Sequence, residues 1–351
     1  MKIETDMRRQ CGCRAGSVFL AGVIGIFAMT PARADVVTTG SADPTYNTFG
    51  IGCIVDDGAG GPQAGPAIVG NVFGDSRPGT LRIDLGCTFE IEELAIDNGV
   101  VIISGPGTTW IMPNNSRVGI SLPGTLLIDD GAVVTNQGSG FSSTIGQNAG
   151  SSGTVTVQNG GQWFLENQDL TVGQGSFNCL DVPLPPDLAN CIDSEGIFGG
   201  ATTGSLNISE GGVVTSKNLT VGSEPSTSGM VNVSGAGSEM ALDGGSFNVG
   251  RIGTGGIDVS NGAAVTALFG TIGRLTDGVG TVNVTGPGSV LNMLGNGGTF
   301  GAFLTVGKEQ SSFGALNVLD GAQVVFDSLD PAITNAGMQL AAIPRASGSP
   351  P

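Results

Sequence analysis

The chain has no histidine, one tyrosine and two tryptophans. Without histidine, general acid–base catalysis loses its commonest group, and a zinc site loses one of its two usual ligands. Basic residues are also scarce: 13 Lys or Arg stand against 30 Asp or Glu, for a net charge of −17. So few cations cannot neutralise a phosphate backbone or an anionic lipid surface, which excludes nucleic acid and acidic membrane as partners. No segment after residue 35 keeps a 3.6-residue apolar stripe without a glycine interruption, so helices are not expected. No segment of the mature chain is apolar enough to span a bilayer as a helix. Glycine, by contrast, is abundant, with 62 residues.

Those glycines punctuate a repeat. GTVTVQNGG at 153–161, GSLNISEGG at 204–212, GMVNVSGAG at 229–237, GGIDVSNGA at 255–263, GTVNVTGPG at 280–288 and GALNVLDGA at 314–322 are copies of one phrase. A weaker copy, GTLLIDDGA, opens at 124. A second phrase answers the first: DLTVG at 169–173, NLTVG at 218–222, FNVG at 247–250, GTIG at 270–273 and FLTVG at 303–307. Looser apolar segments at Val213-Val214, Val265, Val290-Leu291 and Val324-Val325-Phe326 lie between them. Within each phrase apolar and polar residues alternate, which is a strand period. Val155 and Val157, Leu206 and Ile208, Val231 and Val233, Val282 and Val284, and Leu316 and Val318 are expected to point inward. Thr156, Asn207, Asn232, Asp258, Asn283 and Asn317 should point out.

Three short strands per unit of about 25 residues predict an all-β solenoid. The expected fold is a right-handed parallel β-helix, resembling the pectin-lyase-like solenoids. Each coil would bury about five aliphatic side chains at roughly 1.5–3 kcal/mol apiece before chain entropy is subtracted. A single coil is therefore weak, and the array is stable only as a stack.

Residues 1–34 read as a signal peptide. Arg8, Arg9 and Arg14 precede the apolar stretch from Ala15 to Met29, and Ala32-Arg33-Ala34 fits a small-x-small cleavage site. A transmembrane anchor is the alternative, for which the stretch is short. Removing the segment leaves eight Lys or Arg and moves the net charge to about −20. Residues 35–100 repeat poorly and are expected to hold an N-terminal cap and the first irregular coils. The repeats run through 101–326, interrupted at 174–203, and a tail occupies 327–351. Four cysteines remain in an exported chain. Cys179 and Cys191 bracket the Pro-rich interruption and are expected to bridge, leaving Cys53 to pair with Cys87. No metal site and no cofactor are expected.

The alternation of VSGAGS at 233–238 and VTGPGS at 284–289 with LTVG and with the SEGGVV and SNGAAV turns resembles the β-strand repeats of autotransporter (type V secretion) passengers, which also occur in PEP-CTERM-sorted proteins. The resemblance covers about 100–326. It implies a surface-exposed β-helix and, usually, a following outer-membrane barrel; no such barrel pattern follows residue 326, so a missing or separate barrel is expected.

Many β-helices cleave polysaccharides with carboxylates on neighbouring coils. The candidates here are Asp129-Asp130, Asp56-Asp57 and Glu90, Glu92 and Glu93. Asp129-Asp130 occupies the position of Ser209-Glu210 and Ser260-Asn261 in other copies, so a repeat corner accounts for it. Asp181, Asp187, Asp193 and Glu195 crowd the interruption, but their spacing fits no calcium loop. The file Thr144, Thr171, Thr220, Asn248, Thr271, Thr305 is compatible with ordering water, yet threonine simply suits exposed strand positions. The sequence thus predicts an exported, non-enzymatic, passenger-like protein of the cell surface or its surroundings. Its partner is a host or matrix surface, or a second copy. An exported polysaccharide lyase or glycoside hydrolase is the alternative.

Overall fold

The computed structural model describes residues 78–84, 86, 88–175, 201–295 and 301–327, with strands at 36–40, 42–44, 67–70 and 337–340. The described residues form strands and turns without a helix, and none could cross a membrane as a helix. The strands make three sheets of 10, 9 and 11 strands. Within each sheet, neighbours in space are three elements apart in sequence from Gly79 onward, as a chain winding through one sheet after another requires. The fold is a right-handed parallel β-helix.

One coil shows the plan. Thr227–Ser234 lies in the first sheet, Glu239–Leu242 in the second and Ser246–Val249 in the third, before Thr254–Ser260 rejoins the first. Register is strict: Gly204 pairs with Gly229, Gly229 with Gly255 and Gly255 with Gly280. The first coil opens with Gly79–Asp84 and the last with Phe313–Leu319. Ala67–Gly70 still runs parallel to Leu94–Asp97, and the direction changes only at the two strands before it. Val36–Gly40 pairs antiparallel with the strand at Gly79–Asp84, and Ala42–Pro44 pairs antiparallel with Ala67–Gly70.

The inward residues stack as aliphatic ladders. Val155, Val157, Leu206, Ile208, Val231, Val233, Val282 and Val284 are all 0% exposed. Val233 stands between Ile208 and Val259, as the alternation predicts. The last two members of the ladder differ from the others in exposure. Leu316 is only half-buried and Val318 is 41% exposed. Both hold the inward register, opposite Val282 and Val284. Phe313–Leu319, however, is the last strand of its sheet among the described residues, so no described strand covers these two rungs from above as the others are covered.

Two glycine columns make the corner from third to first sheet. The closing glycine of LTVG adopts positive φ, as at Gly222 (φ 69). The opening glycine of the next phrase, Gly229, has ordinary φ, yet a Cβ there would overlap the carbonyl of Val172 and the amide of Gly222. The two phrases touch backbone to backbone, and each needs the other's missing side chain.

Candidate interaction surface

The corner from first to second sheet explains the acidic pairs. In one form a non-glycine residue and a glycine both take positive φ: Asp130-Gly131, Asn159-Gly160, Glu210-Gly211, Asn261-Gly262 and Asp320-Gly321. Asp129 Oδ1 accepts hydrogen bonds from the amide of Asp130 (2.9 Å) and from Asn159 Nδ2 in the next coil (2.8 Å). This carboxylate organises a turn. The other form is the GxG[ST] corner at 105–108, 235–238 and 286–289, one residue longer. Its buried hydroxyl reaches back to the preceding coil: Ser238 Oγ accepts from the amide of Gly211 (3.1 Å), Ser289 Oγ from Gly262 (3.0 Å) and Thr108 Oγ1 from Gly86 (3.0 Å). The VSGAGS and VTGPGS motifs are therefore capping devices between stacked corners.

The remaining acidic candidates do not converge. Arg117 pairs with Glu93 at 2.9 Å, and Asn114 Nδ2 donates to Glu92 at 3.5 Å. Asp56, Asp57, Asp181, Asp187, Asp193 and Glu195 lie outside the described residues, as do Cys53, Cys87, Cys179, Cys191 and the signal segment. Among the described residues no three His, Cys, Asp or Glu side chains gather as a metal would need.

Two shallow recesses interrupt the outside. One, of about 460 Å³, is lined by Pro225, Ser226, Thr227, Ser228, Ile252, Gly253, Thr254 and Asp277. It lies where the link from Gly250 to Gly255 is two residues shorter than its neighbours from Gly222 to Gly229 and from Gly273 to Gly280. Arg251 on this edge is already paired with Glu224 at 2.8 Å. The other recess, of about 240 Å³, is lined by charged residues of three successive coils, Glu166, Lys217 and Asp243, beside Phe164 and Thr215. All three charged residues are exposed, so water screens them from one another.

The broad features are the sheet faces. On the first sheet, Thr156, Asn207, Asn232, Asp258, Asn283 and Asn317 occupy one outward register position. Asn232 Nδ2 donates to Asn207 Oδ1 at 2.8 Å, and Asn317 Nδ2 to Asn283 Oδ1 at 2.7 Å. Asn283 Nδ2 donates to the carboxylate of Asp258 at 2.5 Å. Ser209, Ser234, Ser260 and Thr285 form a parallel column two residues on. From Thr156 onward these columns are small in side chain and locked in register, whereas the same position holds Leu127 and Ile102 in the preceding coils and Met230 stands exposed beside the columns. On the third sheet the file Thr144, Thr171, Thr220, Asn248, Thr271, Thr305 is also in register, but Thr144 and Thr305 at its ends are buried.

A polar network inside the corner from second to third sheet escaped the sequence reading. Asn136, fully buried, accepts from Trp163 Nε1 at 2.9 Å and donates to the carbonyl of Asn114 at 2.8 Å. Gln168 Nε2 donates to the same carbonyl at 3.2 Å, and Ser143 Oγ donates to Gln168 Oε1 at 3.1 Å. Alternation placed these residues near strand ends, where inward and outward are not separable by period alone.

No family model matches the chain, and no solved structure matches it. Among curated proteins it is similar to an Escherichia coli (strain K12) protein named uncharacterized lipoprotein YdeK, at 29% identity over 196 residues. The match covers 56% of this chain and 12% of that protein.

Proposed function

We propose that this is an exported, non-enzymatic surface protein of the passenger-like class that works by contact, through adhesion to a matrix or host surface or through self-association. The observation that carries the reading is the first-sheet face. Its Asn, Ser and Thr columns repeat in fixed register over a buried core from Thr156 to Asn317, so one weak polar contact recurs along these successive coils. Repeated weak contacts gain affinity when many engage at once. The lipoprotein name of its distant relative and the leader-like residues 1–34 support export, with a cell-surface or extracellular location. The Cys179–Cys191 bridge belongs to the same reading.

A polysaccharide-cleaving activity has one observation in its favour, the recess lined by Glu166, Lys217 and Asp243. A general acid needs a carboxyl withdrawn from water so that it stays protonated, and these side chains are exposed. Contact is therefore the better reading. Beads coated with residues 35–351 are expected to clump or to bind extracellular matrix, without turning over polygalacturonate or related acidic glycans. Inert beads, with glycan cleavage that Glu166→Gln and Asp243→Asn abolish, would replace the contact reading by the enzyme.

A further inference from the structure

One link between the third and first sheets is cut short in the middle of the stack. The links at 222–229, 273–280 and 307–314 each contain a tight turn. In them the amide of Thr227 donates to the carbonyl of Glu224 at 3.2 Å, that of Gly278 to Leu275 at 2.9 Å and that of Ser312 to Glu309 at 3.1 Å. The link from Gly250 to Gly255 is two residues shorter and has no such turn. The turn residues Pro225-Ser226 of the preceding coil and Asp277 of the following coil therefore flank a step, which is the recess of about 460 Å³. Its polar groups are uncommitted. Ser226, Ser228, Thr254 and Asp277 line it, are exposed, and make no side-chain hydrogen bond or ion pair among the described residues. The peptide groups of Ile252 are unpaired as well, whereas the equivalent amide of Leu275 donates to the Arg251 carbonyl at 2.9 Å and that of Glu224 to Thr227 Oγ1 at 3.2 Å. The same links carry the chain's scarce cations. Arg251, Arg274 and Lys308 each follow a closing glycine, and they stack in register: the Arg274 amide donates to the Gly250 carbonyl at 3.0 Å and the Lys308 amide to the Gly273 carbonyl at 2.9 Å. Arg251 is paired with Glu224, but Arg274 and Lys308 have no ion pair among the described residues.

We infer that this step binds a carboxylated sugar unit of a glycan chain, with Arg274 supplying the countercharge. A sugar both donates and accepts hydrogen bonds, as the mixed set of hydroxyls, carboxylate and peptide groups here does, and its C–H face suits Pro225 and Ile252. The unpaired cation selects a unit that carries negative charge, which a chain of net charge −17 repels elsewhere. A peptide is the weaker fit. It would dock by adding a strand to an open sheet edge, and the strands on either side of the step have none. Thr254–Ser260 lies between Thr227–Ser234 and Val279–Thr285, and Ser246–Val249 lies between Leu219–Val221 and Phe269–Ile272.

The inference rests on the contact reading above and deepens it by naming a ligand class and a site. Calorimetric titration of residues 35–351 with hyaluronan and alginate tetrasaccharides is expected to show saturable binding of at least one, about tenfold or more tighter than that of uncharged chitotetraose at the same salt. Arg274→Gln should weaken it about tenfold with an unchanged melting temperature, the loss expected for one charge-assisted contact. Inserting Thr-Asp after Ile252 lengthens the short link on the pattern of 273–280 and should abolish binding. If the insertion lowers the melting temperature, Ser228→Trp, a bulky side chain at an exposed lining position, carries the same test. Absence of binding to both acidic tetrasaccharides overturns the site, and beads that still clump or hold matrix then leave the contact reading standing. Equal affinity for chitotetraose, or binding that survives both the insertion and Ser228→Trp, overturns it too. So does an oligoglutamate peptide that competes as well as the sugars, which would mean that charge alone is recognised.

Discussion

Val233 and Asn232 are adjacent, and the fold treats them oppositely. Val233 is fully buried between Ile208 and Val259, so Val233→Asp places an unpaired carboxylate in an aliphatic ladder. Loss of cooperative unfolding is the expected outcome in a denaturant titration. Asn232 looks outward but is not idle, because its amide bonds Asn207. Asn232→Ala should cost below about 1 kcal/mol, the range of one partly solvated hydrogen bond. Equal effects from both would mean a register shifted by one residue. The tryptophans offer a second contrast. Trp163 donates to Asn136, whereas Trp110 Nε1 is buried with no partner among the described atoms. Both substitutions to Phe remove similar volume, so Trp163→Phe should cost about 1 kcal/mol more than Trp110→Phe when the two melting curves are compared.

At the scale of the element, corners set the repeat length and strands fill it. The GxG[ST] corner adds one residue and a hydroxyl cap to the first-to-second link, and the other links vary with it, so the coil from Gly99 to Gly124 keeps 25 residues with this corner while the coil from Gly124 to Gly153 reaches 29 without it. Two corners depend on glycine for different reasons, the third-to-first at Gly229 and the second-to-third at Gly244. Gly229 has no room for a side chain, because backbone from the adjacent coils occupies the space. Gly244 has open space but positive φ (70°). Gly244→Ala should therefore cost about 1–2 kcal/mol of left-handed strain. Gly229→Ala forces two coils apart and should cost more than about 4 kcal/mol, beyond the ordinary range for one substitution. Chemical denaturation of the two variants checks this, and similar costs would show that the coils yield at this corner. A related compensation lies inside the stack. Gly270 takes an inward position held by Phe247 and Leu304 in adjacent coils, and a Cβ there would overlap the Phe247 ring and the Leu304 side chain. The core volume is conserved between coils even where a single coil gives it up.

For the molecule as a whole, stability is distributed along one dimension. Each coil contacts its two neighbours and little else, so the loss of a terminal coil removes one interface and leaves the others intact. Deletion of residues 308–351 is expected to lower the melting temperature while preserving the β-sheet circular dichroism of the remaining coils. A globular domain with one shared core would unfold under the same deletion, and that outcome would contradict the solenoid accounting.

The strand class, the parallel stacking and most of the inward ladder were determined by sequence alone. The physical reason is that period-two alternation repeated at a fixed interval lets each strand bury its apolar face only against its own copy. Tertiary structure decided what period cannot express. It decided that Asp129 serves a turn, since a carboxylate at a corner reads the same in sequence whether it binds an amide or a substrate. It also revealed the hydroxyls of Ser238 and Ser289 as caps on a different coil, and Asn136 as a buried partner of Trp163, because these contacts join residues 27 apart. And it decided that Val318, identical in pattern to Val233, lies exposed. Burial in a solenoid depends on having a neighbour on both sides, and no residue's own sequence states its place in the stack.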